Sequence, residues 1–140
     1  MHAFLSWSDV DVKNLAGSHQ NTSGLNDLII DPIAIGWAFG NWHIISGVDM
    51  YLPAGNYSSN NIANNGRNYF TFEPLVDVTW LNEDGYEFTV KTMFDINTIN
   101  HATDYQSGNE LHADFVAAKH WGPLSTGIGG YYYKQVSNDS

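Results

Sequence analysis

The side chains able to do chemistry are mostly carboxylates and histidines: 15 Asp+Glu and 6 His beside 5 Lys+Arg, with no cysteine, in 140 residues. Two carboxyl groups can flank a scissile glycosidic bond, and Glu73 with Asp77, or Glu110 with Asp114, are candidate pairs. On an extended strand, residues four apart stand about 13 Å from each other, beyond the usual separation, so only a cross-strand pair would serve. His112 and Asp114 have the i, i+2 spacing that puts two ligands on one strand face, and Glu110 could add a third. A hydrogen-bonded histidine satisfies the same pattern, and no metal or cofactor is expected. No histidine has a serine two positions later and no Gly-x-Ser-x-Gly elbow occurs, which disfavours hydrolysis by a strand-borne His/Ser pair. The Gly127–Tyr133 stretch precedes no helical pattern, so it reads as aromatics packed over strand glycines and not as a phosphate loop. No enzyme is expected.

These side chains need elements to position them, and the composition restricts the choice. The length fits a single domain over residues 1–140, and 43% hydrophobic with 14% charged residues is too apolar for disorder. A formal charge of −10 excludes nucleic acid as a partner, because phosphate neutralisation needs clustered Lys and Arg. No apolar run is long enough for a membrane-spanning helix, and the N-terminus shows no basic segment followed by an apolar core, so no signal peptide is read here. With 13 glycines, 15 asparagines and no sustained i, i+3, i+4 apolar pattern, the chain reads as all-β.

Period-2 alternation is clearest over 86–97, where Tyr86, Phe88, Val90, Thr92, Phe94 and Ile96 oppose Glu87, Thr89, Lys91, Met93, Asp95 and Asn97. Similar patterns predict strands over 42–52, 69–81, 110–121 and 124–136. Two less regular ones cover 25–39, with a bulge near Pro32, and 3–12, with a change of face near Asp9. The result is an antiparallel up-and-down meander of about seven strands, several of them as long as the roughly 9–11 residues that a tilted transmembrane strand needs. Short connections (Gly40-Asn41, Asn82–Gly85, Gly122-Pro123) alternate with long polar ones (13–24, 53–68, 98–109), as in outer-membrane barrels. Trp37, Phe39, Trp42, Trp80, Tyr86 and Trp121 gather beside the short turns, while Tyr51, Tyr69 and Phe70 border a long loop, as two interfacial girdles would. Lys119 and Lys134 fall on the apolar face near strand ends, where an ammonium can snorkel. A soluble β-barrel or β-sandwich that binds a ligand also alternates and is the competing class; a barrel enzyme comes third.

On the barrel reading the pore-lining or ligand-binding residues are Asp49, Glu73, Asp77, Glu87, Lys91, Asp95, Glu110, His112 and Asp114. This acidic wall either repels anions from an open lumen or fills a narrow one. Lys91 is expected beside Glu73, Asp77 or Asp114. Arg67 and Asn68 close the second long loop, either as part of a fixed, inward-folded loop or as ordinary loop residues.

The order of certain short motifs carries a resemblance. Leu52-Pro53-Ala54-Gly55-Asn56-Tyr57 is followed by Asn64–Tyr69, Phe72-Glu73-Pro74, Asp95-Ile96-Asn97 with Asn100, and Thr103–Gly108. His112-Ala113-Asp114, Gly129–Tyr133, Gln135-Val136 and Asn138-Asp139-Ser140 complete the set. From about residue 24 onward the chain resembles the meta-pathway phenol-degradation family of Gram-negative outer-membrane proteins. Ala54 stands where a Thr is usual, which leaves the glycine turn intact. The resemblance implies an outer-membrane β-barrel that passes small hydrophobic or aromatic compounds, with outer-membrane lipid and such molecules as partners. Members are about twice this length, so the chain reads as part of a barrel whose open edges could associate with each other.

Overall fold

The computed structural model describes residues 1–13 and 17–140. The described residues are all-β, with nine strands among them: β1 (His2–Phe4), β2 (Trp7–Lys13), β3 (His19–Leu25), β4 (Leu28–Phe39), β5 (Trp42–Leu52), β6 (Thr71–Leu81), β7 (Tyr86–Asn97), β8 (Glu110–Trp121) and β9 (Leu124–Gln135). Seven strands form one antiparallel sheet in the order β1-β4-β5-β6-β7-β8-β9, and β2 and β3 form a separate hairpin. From β4 to β9 the spatial order is the chain order, which is the expected meander, and the sheet is open.

The three short turns fall where expected, and glycines make them. Gly40 and Gly122 have φ of 56° and 60°, in the left-handed region that side chains with a Cβ adopt reluctantly. The register of β4 on β5 shifts between Ile30 and Ile33, so the bulge expected near Pro32 is present. Phe115 on β8 lies opposite Gly130 on β9, and its ring occupies the space a Cβ at Gly130 would take, as expected of aromatics over strand glycines.

The N-terminal quarter departs from expectation. The single strand over 3–12 is two strands broken at Leu5-Ser6, where Asn26 N–H donates to the Ser6 carbonyl at 2.9 Å. The connection over 13–24 carries β3, residues 14–16 lying outside the described ones, and the strand expected over 25–39 begins at Leu28. β3 (HQNTSGL) is almost wholly polar, so alternation had nothing to register. β1 pairs only with Ile29–Asp31, so among the described residues the outer edge of β4 from Ile33 to Phe39 has no strand partner.

The two faces of the sheet are exposed unequally. Along β7, Phe88, Val90 and Ile96 are exposed while Met93, Asp95 and Asn97 are buried; β6 repeats this with Phe72 and Val76 exposed and Thr71, Glu73 and Leu75 buried. Among the described residues the buried apolar side chains are Ala63, Leu75 and Met93 alone, too few for a conventional core. The oily face is the exposed one. Trp37, Phe39, Trp42, Tyr86 and Trp121 are exposed at the short-turn end, and Trp80 packs on Phe88 with ring centroids 5.8 Å apart. Lys119 behaves as expected: its Nζ lies 3.8 Å from the Tyr86 ring centroid and donates to the Asp84 carbonyl in the turn. Tyr51 is a correction to the girdles. It has the parity of Asp49, and its hydroxyl donates to Glu73 on the polar face, so it does not border the oily one.

Candidate functional site

Antiparallel register turns the polar face into transverse rows. In one row Asp49 opposes Glu73, the pairs Phe72–Ile96 and Leu75–Met93 set Glu73 across from Asp95, and Asp95 opposes Glu110. A second row runs Ile45, Asp77, Lys91, Asp114 and Tyr131. Lys91 is therefore flanked by Asp77 and Asp114, two of its three expected neighbours, while Glu73 stands in the other row. A pocket of about 260 Å³ between the rows is lined by Asp31, Asp49, Asp77 and Lys91 with Ala34, Ile45, Gly47 and Leu75. Glu87 lies nearer the short turns, with its carboxylate 2.7 Å from His120 Nε2 and accepting from Thr89 at 2.9 Å.

The densest constellation is at the long-loop end of the rows. His112, opposite Met93, reaches diagonally: its Nε2 is 3.2 Å from Glu73 Oε2 and 3.3 Å from Asp95 Oδ1. Tyr51 donates to the same Glu73 oxygen at 3.3 Å. Glu73 and Asp95 are 2% and 5% exposed, so two carboxylates of adjacent strands share one imidazole nearly out of solvent. His112 thus partners across strands, not along its own with Asp114 and Glu110 as the i, i+2 spacing suggested. Glu73, Asp95 and His112 together present three ligand atoms within 4.8 Å of one another. No spacing in the sequence joins residues 73, 95 and 112; only the registers of β6–β7 and β7–β8 do.

Above this site the long loops are tied down. The Asp27 carboxylate accepts from the backbone N–H of Gly55 at 3.0 Å and of Arg67 at 2.8 Å. The Arg67 guanidinium lies 5.6 Å from the Tyr51 ring centroid, over a residue of the polar face. Asn68, in the left-handed region at φ 62°, donates to Asn100 Oδ1 at 2.8 Å, and Asn100 Nδ2 donates to the Tyr57 hydroxyl and the Arg67 carbonyl. Asn97, 2% exposed, accepts from Thr71 at 2.7 Å and donates to the Gly108 carbonyl at 2.9 Å. The Asp139 carboxylate accepts from Gly108 N–H at 2.8 Å and Gln135 Nε2 at 2.7 Å. Asp27, Tyr51, Asn97, Asn100 and Asp139 escaped the sequence-based site. All but Tyr51 and Asp27 belong to the motifs that carried the resemblance, which was the available signal.

Hydrogen bonds from the Tyr105 hydroxyl, the Gly108 amide and Gln135 hold the Asp139 carboxyl below the ordinary aspartate range. A depressed folded-state pKa stabilises the bound form above the unfolded value, and that contribution is lost as pH falls through the folded one. Gly108 amide exchange, corrected for intrinsic rate, is therefore expected to accelerate as the pH is lowered below about 4. In Asp139→Asn this acid step is expected to vanish; an unchanged step in the variant would assign it to another group.

The family model described as "Putative MetA-pathway of phenol degradation" matches residues 1–140. No curated protein and no solved structure matches the chain.

Proposed function

This chain belongs to that phenol-degradation family, and from this premise we propose that it forms part of a bacterial outer-membrane β-barrel that passes small hydrophobic or aromatic molecules without transforming them. The observation that carries the reading is the exposure of the two faces: long strands present Ile35, Phe72, Phe88, Val90, Phe115 and Ile128 outward while carboxylates and threonines are covered on the other side. A soluble barrel would bury its oily face, whereas lipid rewards exposing it. The partners are outer-membrane lipid on the apolar face, small aromatic molecules on the polar one, and a further copy of the chain at the open edges of β9 and β4.

An acidic lining raises the barrier for anions in a confined, weakly screened path. In proteoliposomes carrying the chain, phenol is expected to enter faster than benzoate at neutral pH, and planar bilayers are expected to show cation preference. Faster benzoate entry or anion-selective conductance would refute the mechanism. A monodisperse, detergent-free monomer without conductance would replace it with ligand binding in solution.

A further inference from the structure

We propose that Glu73, Asp95 and His112 form a three-ligand site for a divalent transition-metal ion of the zinc class. The site differs from the absence of a metal that the sequence suggests, and it is independent of whether the barrel conducts. Three features carry it.

The first is convergence. One imidazole nitrogen, His112 Nε2, faces two carboxylate oxygens at 3.2 and 3.3 Å, although a single N–H can point well at only one of them. Metal–ligand bonds of about 2.0 Å in a tetrahedron place neighbouring ligand atoms about 3.3 Å apart, so these separations are those of two ligand edges around an ion. The second is charge. Glu73 and Asp95 face each other on adjacent strands at 2% and 5% exposure, and like charges directly opposite are destabilising. Lys91 stands in the other row between Asp77 and Asp114, so the shared imidazole is what balances the pair within the cluster. A dication satisfies both carboxylates and leaves the imidazole neutral as a ligand. The third is support. Each ligand comes from a different strand of the sheet, β6, β7 and β8, and the Tyr51 hydroxyl donates to the Glu73 oxygen that faces the histidine, a ligand-orienting contact. An imidazole with two carboxylates favours zinc-class ions over calcium or magnesium, which prefer all-oxygen shells.

The test uses the folded chain in detergent micelles, stripped with chelator and titrated with Zn²⁺ alone by calorimetry and with Co²⁺ alone by visible absorption. One ion per chain is expected, with the cobalt band of a low-coordinate nitrogen–oxygen site. His112→Ala and Asp95→Asn are expected to weaken binding by more than about 100-fold, and Tyr51→Phe by about 10-fold. His101→Ala, at an exposed loop histidine, is expected to leave binding unchanged. Circular dichroism confirms the β fold of each variant, and His112→Gln stands in should the alanine variant not fold. Absence of zinc heat and of the cobalt band in the folded wild-type chain, or undiminished binding in both ligand variants, would overturn the site and leave Tyr51, Glu73, Asp95 and His112 as a hydrogen-bonded network.

Discussion

Val90→Lys is expected to destabilise the chain folded in lipid by about 2 to 4 kcal/mol, while Thr89→Lys, one residue away, costs less than about 1.5. Val90 lies mid-strand on β7, 48% exposed on the oily face between Val78 and Phe115 on the flanking strands. An ammonium there has no carboxylate on its face and stands too far from the strand ends to snorkel cheaply. Thr89 points the other way, bonded to Thr79 at 2.9 Å and to Glu87 at 2.9 Å. A lysine at 89 loses these bonds but gains a nearby carboxylate in Glu87. Urea titrations of chain folded into short-chain lipid vesicles measure both. Equal costs would mean that β7 does not separate lipid from lumen.

Asn97→Ala carries the second large effect, about 2 to 4 kcal/mol, and it acts through the loops and not through the apolar face. The Asn97 side chain accepts from Thr71 and donates to Gly108, and Thr71 is itself 1% exposed. Truncation leaves a buried hydroxyl and a carbonyl without partners, each costing about 1 to 3 kcal/mol. Its own carbonyl keeps the Gln106 bond at 2.8 Å, so the damage is confined to these two groups. Protease nicking within 98–109 is expected to rise in parallel. A cost below about 0.5 kcal/mol would show that water replaces the lost amide.

How much of this was legible in the sequence depended on what each strand faces. β5, β7 and β8 have their expected boundaries, because an oily face beside a wet one imposes strict period 2. β3 was invisible because a hairpin outside the main sheet needs no oily face: Gln20, Thr22 and Gly24 stand opposite Val12, Val10 and Ser8 with no alternation of oily and wet residues along β3. Parity also assigned the polar set from Asp49 to Asp114. It could not choose among registers that differ by two residues, since all of them keep each side chain on its own face. That choice decides whether His112 meets Asp95 and Glu73 or some other pair. The motifs of the long loops marked Asn97, Asn100 and Asp139 as a group, but the hydrogen bonds that join them cross between loops distant in sequence.

The agreement of spatial and chain order from β4 to β9 has a kinetic meaning. Short turns join β4 to β5, β6 to β7 and β8 to β9, so these hairpins zip with little loss of chain entropy. Docking one hairpin on the next must close residues 53–70 or 98–109, at about 1 to 2 kcal/mol more each than a short turn. The cluster of Glu73, Asp95 and His112 spans two hairpins, β6–β7 and β8–β9, and so is complete only after docking. On this topology three ribbons form before one sheet does: Glu73 and Asp95 already face each other within the β6–β7 ribbon, and His112 reaches them only when the β8–β9 ribbon docks.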